Sequence, residues 1–551
     1  MALLPLLASF QLAAGGGGPA LELTHSAPWL DNVFWVRLDG LDTQDVFAGG
    51  PFWLWVSPSA AALPTPFGLV ELDPATAQLL VTGHAPFGSD EVSLPFLLPP
   101  DPGLAEAEVH LQAFALTTQV PEGLLLSNAA HLRLLGSRVH SQQHRIQDFG
   151  GPSEHRLAVF SAEALQPLFE LPLGGVPRGA RGLELSPDAR STAFRYATTV
   201  GPFGIDATAG RVLRFETFFG LRANEVPLVT RGAWVEAPWG DAWLVYGNDP
   251  AHGPGWDLWS LPYDPGLPPI PLGVGGGVGP MVADLAGDAA WIPDAAAPAG
   301  ELRMKRVSLT TGATLASVLV GSAPQSELLW AELVGERLLV GTRAPATGPG
   351  QNFALLAWVD TAIAPGTLHT LALERDITRY DGRLTATGDL LVWGWFNFGF
   401  AAISVVPFLV DPAQPAAPVT GTQPPMFNSP TSVVDLGTPI WVFDKCCDDP
   451  PDDGGLAYLL LLDPLTGSLV PNGPPGLPPP ILSGSQSLYV SMAATRDFAG
   501  HQVVVGSSSL AVFPFSFAPD QLLRIDPLTG AQVEVATDFW ANEWLGGVSV
   551  P

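Results

Sequence analysis

Cysteine is nearly missing from this 551-residue chain, and the two that occur, Cys446 and Cys447, are neighbours. That count excludes a conventional disulfide framework and a four-cysteine zinc site. Lysine is equally scarce, at Lys305 and Lys445 only, with arginine supplying the other 22 basic residues, a bias read as genome composition. Charged residues make up only 14% of the chain, yet the net charge is −29. Such a charge argues against nucleic acid as a partner and disfavours anionic membrane surfaces, since phosphates are repelled. No H-E-x-x-H, G-x-S-x-G or phosphate-loop motif is present. The glycine-rich run Gly273–Gly279 does not fit G-x-G-x-x-G and no helical pattern follows it, so it reads as a loop between repeats.

What the chain has in quantity is glycine (60), proline (57) and hydrophobic residues (47%). That mixture fits many short strands joined by many turns. Residues 1–20, apolar from Ala2 to Ala14 and small from Gly15 to Ala20, resemble a secretory signal without its basic n-region; the other reading is a buried first strand. Residues 21–136 then read as a β-sandwich-like domain, from short runs such as Val33–Leu38, Phe52–Val56 and Val109–Phe114. Residues 137–155 turn polar around Ser141-Gln142-Gln143-His144 and read as a linker.

From residue 156 to 551 one corner keeps returning. Its clearest copies are Asp463-Pro464-Leu465-Thr466-Gly467 and Asp526-Pro527-Leu528-Thr529-Gly530. The Asp carboxylate bonds backbone N–H groups two residues on, Pro presets φ, and Gly accepts a positive φ. Weaker copies begin at Ser161, Asp206, Asp264, Ser308, Asp360 and Asp411, giving intervals of 45, 58, 44, 52, 51, 52 and 63 residues. A period near 50 predicts an all-β fold ending in a β-propeller of seven or eight blades, eight favoured by the eight corners. Second corners precede strand-like runs such as Trp243-Leu244-Val245, Ile440-Trp441-Val442 and Leu488-Tyr489-Val490. The final strand, near Leu545–Val550, is expected to complete the first blade. Leu390–Val410, uncharged and long enough for a membrane span, sits in phase with the repeat and reads as two buried strands.

Ser186-Pro187-Asp188-Ala189-Arg190 resembles the S-P-D-G-R corner of TolB-type bacterial propellers, with Ala189 in place of glycine. The Asp-Pro-Leu-Thr-Gly corners are similar to those of secreted bacterial propeller repeats, quinoprotein-type ones included. The resemblance covers about Arg156 to the C-terminus and implies a fold, with no activity attached.

Both corner types fall at one end of such a propeller, which leaves longer, unlike loops at the other: Gly247–Gly255, Pro293–Gly300, Arg343–Asn352, Phe443–Gly455 and Ala493–Asp520. In the fourth of these, Asp444, Asp448, Asp449, Asp452 and Asp453 form either a weak calcium site or a solvated acidic loop. Cys446 and Cys447 can close a vicinal disulfide outside the reducing cytosol. Trp256, Trp395, Phe396 and Phe398 lie in or beside these loops, as a ligand-stacking surface or as core. The functional expectation is a secreted, monomeric, non-catalytic binder of a protein or glycan. The alternative is an extracellular propeller enzyme, either a polymer hydrolase or lyase or a quinoprotein-like oxidoreductase.

Overall fold

The computed structural model has β-strands as its named elements among the described residues, with one 3-10 helix at Pro102–Leu104. It describes residues 20–41, 50–86, 89–146, 153–162, 165–173, 180–197, 210–217, 220–226, 228–230, 235–236, 242–249, 251, 253, 255–284, 287–321, 327–344, 353–361, 367–384, 388, 390–397, 403–420, 433–435, 440–445, 457–463, 468–471, 480–482, 489–497, 500–508, 521–525, 532–536 and 541–548.

Strict alternation builds the N-terminal part. In Val33–Asp39, Phe34, Val36 and Leu38 are buried while Val33, Trp35 and Arg37 face out, as period-two side chains require. This strand pairs with Glu22–His25 and Glu91–Leu97 in one sheet; Ala130–Arg133, Glu108–Leu116, Pro51–Ser57 and Gln78–His84 form a second. Phe34, Val36 and Leu38 of the first sheet and Phe52, Leu54, Leu111 and Ala113 of the second share one apolar cluster. Each of these Phe, Val and Leu side chains is worth about 1.5–3 kcal/mol when fully buried.

From residue 138 onward the described strands pair mostly with their sequence neighbours, as antiparallel meanders. The last strand, Ala541–Val548, instead returns to the first of these sheets and pairs with Arg138–Ile146. A repeated meander closed by its own C-terminal strand is the architecture of a β-propeller. Closure thus falls in the expected sheet. The polar stretch read as a linker is a strand within it, bonded to Ala541–Val548 on one side and Ser153–Ser161 on the other. Its Gln142 and Gln143 are buried; a strand paired on both edges is recruited by its backbone, whatever its side-chain polarity suggests.

The corners form as their chemistry dictates. Asp188, Asp264 and Asp411 each accept a hydrogen bond from the N–H two residues on, at 3.0, 2.8 and 2.8 Å. Two corners differ from expectation. The second sheet turns between Gly210–Glu216 and Ala223–Val226, so its corner is at 217–222 and Asp206 precedes the strand. Near the C-terminus, Tyr489–Asp497 pairs with Gly500–Ser508, so the long connection there spans only 509–520. Leu390–Asn397 and Ile403–Val410 form an antiparallel hairpin, in line with the strand reading, and among the described residues no helix is long and apolar enough to cross a membrane.

Among the described residues, four arginines reach from one meander to a corner of the next. Arg138 donates to the Thr217 carbonyl at 2.6 Å. Arg214 donates to Pro262 O at 2.9 Å and Leu267 O at 2.7 Å, and Arg337 to Pro412 O at 2.6 Å and Ala413 O at 3.0 Å. Arg524, in the last sheet, reaches the Ala162 carbonyl of the first at 3.4 Å. Arg138 also grips Glu106 with two bonds, at 3.0 and 2.6 Å, which ties the N-terminal part to the meanders. Beside it, Ala189 of the Ser-Pro-Asp-Ala-Arg corner packs with Trp29 and Leu135 although its φ is 55°. A methyl group fills that contact where glycine would leave a gap.

Arg214 is buried, which lowers its pKa to about 10 and leaves it charged at neutral pH. Arg214→Met strands the Pro262 and Leu267 carbonyls, so the expected loss is about 3 kcal/mol. Arg214→Lys, with one head group, falls between the two. Urea and thermal melts of the three proteins check the order.

Candidate functional site

One connection between a second and a third strand joins Ala242–Asn248 to Asp257–Pro262. Asn248 donates to the carbonyls of Gly253 at 2.9 Å and Gly255 at 2.5 Å, folding the connection back on itself. Trp256 is only 8% exposed and packs on Tyr246, ring centroids 5.5 Å apart. It belongs to the core beneath the loop and offers no stacking surface. The Asp257 carboxylate accepts N–H bonds from Gly273, Val274 and Gly275 at 2.8, 2.8 and 3.3 Å. A glycine-rich run of this kind is a ready anion cradle; here a carboxylate of the chain itself fills it. Tyr246 donates its hydroxyl to Gly277 O at 2.5 Å, and a Cβ on Gly276 would collide with that hydroxyl. Burial, with the Asp257 charge adding to it, raises the Tyr246 pKa, so the phenol is a fixed donor.

Of the other expected site residues, the structure describes three, all on strands. Trp395 and Phe396 occupy strand positions opposite Val405 and Ser404. Asp444 is a strand residue opposite Tyr458. Phe398, Cys446, Cys447, Asp448, Asp449, Asp452 and Asp453 lie outside the described residues.

Two groupings had no signal in sequence. One is the polar interior of the first meander sheet, where His140 is buried and neither ring nitrogen has a hydrogen-bond partner. Phe215 lies 6.2 Å from it, centroid to centroid. Burial, and secondarily the Arg138 charge, lowers its pKa to about 3. The other is Glu108, His110 and His131, whose donor atoms all lie within 4.8 Å of one another. Their separation in sequence hides them; only the strand register reveals them.

No family model matches the chain, and no curated protein matches it. Solved structures do. A prolyl endopeptidase is 14% identical over 68% of this chain at a TM-score of 0.36, and the chain spans 53% of that protein's length. Hydrazine synthase of Kuenenia stuttgartiensis is 10% identical at a TM-score of 0.36, covering 66% of this chain and 97% of the other. A quinoprotein alcohol dehydrogenase-like protein of Bacteroides thetaiotaomicron is 9% identical at a TM-score of 0.31, covering 96% and 99%. These proteins differ in activity, and none carries a function to this chain.

His140 makes stability depend on pH. An unfolded histidine titrates near 6.5 and the native one near 3. Between these values the unfolded chain holds a proton that the native chain does not. The stabilising contribution is therefore complete above pH 6.5 and is lost as pH falls toward 3, at about 1.4 kcal/mol per unit. His140→Leu removes this dependence. Its unfolding free energy relative to wild type should rise by about 3 kcal/mol between pH 8 and pH 4, as urea melts across that range will show.

Proposed function

We propose that this chain is an exported, non-catalytic binding protein that takes a protein or glycan ligand on the loop end of an eight-bladed propeller, behind an N-terminal β-sandwich-like domain. Eight blades are supported by dividing the seven-stranded sheet within its 17-residue strand Leu368–Leu384, read as the last strand of one blade and the first of the next. Every other meander sheet then contributes one unit. The shared core of the two N-terminal sheets supports the sandwich. In this reading the propeller is of the TolB or quinoprotein-repeat type, residues 1–20 are the export signal, the acidic loop takes calcium weakly, and the protein acts as a monomer.

The observation that carries the reading is the unequal length of connections at the two ends. First-to-second-strand corners are as short as 335–336 and 498–499, whereas second-to-third-strand connections extend to 198–209, 446–456 and 509–520. Long, unlike loops held on one side of a rigid scaffold are where binding proteins place their contacts.

The test is a glycan array and a polysaccharide pull-down with the chain from residue 21, in calcium and in chelator. Retention is expected, and replacing 446–456 by a Gly-Ser linker should weaken it by at least about tenfold. Replacing the opposite-end corner 464–467 should not. Binding indifferent to the loop, or release of cleaved or oxidised product by the unmodified protein, would overturn the reading.

A further inference from the structure

We propose that Glu108, His110 and His131 form a binding site for a divalent first-row transition ion of the zinc type, which pins the edge strand Ala130–Arg133 to its neighbour Glu108–Leu116. The register sets the geometry. His110 stands directly opposite His131, and Glu108 opposite Arg133. Directly opposed residues share a sheet face, and residues two apart on one strand do too, so all three side chains project from the same side. The two imidazole rings lie parallel, 20° apart in plane, with centroids at 4.3 Å, and His131 Nε2 is 3.5 Å from Glu108 Oε2.

Tetrahedral zinc with bonds of about 2.0–2.2 Å sets its ligands roughly 3.4 Å apart. The donor atoms span at most 4.8 Å, so a side-chain movement of roughly 1 Å closes the set. His131 and Glu108 have room for it, each with about two-fifths of its side chain exposed. Arg133 donates to Glu108 Oε1 at 3.0 Å, which leaves Oε2 turned toward His131. A carboxylate oriented by a second hydrogen bond is how metal ligands are commonly held. Two imidazoles and one carboxylate suit zinc, copper or nickel and not calcium or magnesium, which separates this site from the acidic loop. Water supplies the fourth position at the sheet edge.

An ion here would also hold the segment that follows. Leu134 bonds Ala107 at 2.9 Å, Leu135 packs on Ala189, and Arg138 grips Glu106.

The experiment uses the untagged full chain, stripped with chelator, titrated with cobalt and then melted with and without zinc. One equivalent of cobalt with visible d–d absorption, and a zinc-dependent rise in Tm that magnesium does not produce, are expected. His131→Ala and Glu108→Gln, both at partly exposed positions, should each lose that equivalent or weaken it more than about tenfold, and should lose the zinc-dependent rise. No bound cobalt at millimolar concentration, or stoichiometry and Tm shift unchanged in both variants, would overturn the proposal.

Discussion

Guanidinium groups reaching from one meander to a corner of the next, fully buried at Arg138 and Arg214, are the interaction on which the junctions they serve depend. A corner exposes carbonyls that no strand partner can satisfy, and a buried carbonyl without a donor costs about 1–3 kcal/mol. Arg214 satisfies Pro262 and Leu267 together, and Arg337 satisfies Pro412 and Ala413. Lysine cannot do this. Its three donors sit on one point charge, whereas the planar fork presents five in a fixed spread. Exposed ion pairs such as Arg37 with Asp39 are worth about 0–1 kcal/mol and decide little by comparison.

The same device joins the two parts of the molecule. Arg138 holds Glu106 of the N-terminal part and Thr217 of the second meander sheet at once. Its neighbour His140 sits in the same interior without a hydrogen-bond partner. The first meander sheet is therefore where three constraints coincide: the C-terminal strand, the N-terminal contact, and the Arg524 bond that links last sheet to first. Loops at the other end extend from a frame fixed in this way, and so can vary in length at small cost.

The corners were legible in sequence because their chemistry is local. Asp264 and Asp411 need only a carboxylate and an N–H two residues on. Asp206 shows the limit of that signal: the same pattern also occurs ahead of a strand. Arg138–Ile146 was misread because polarity normally marks a linker, while one of the two strands that pair with it lies about 400 residues away in sequence. Trp256 stayed open between stacking surface and core for a related reason, since an aromatic residue beside a loop gives no hint of the Tyr246 ring under it. The Glu108, His110 and His131 grouping depends on register alone and has no local pattern to find. The acidic loop, with Cys446 and Cys447, lies outside the described residues, so its reading rests on sequence only.

Closure of the sheet series by its last strand is the central claim, and a cross-strand disulfide tests it most directly. Ser141 and Leu545 are directly opposite in the register, at the roughly 4.5–5.5 Å Cα separation of antiparallel pairs, which a disulfide spans. In a background of Cys446→Ser and Cys447→Ser, the doubly substituted protein Ser141→Cys, Leu545→Cys should oxidise to a monomer that is lighter by two hydrogens and migrates faster without reductant. Two free thiols persisting under oxidant in the folded protein would contradict the closure.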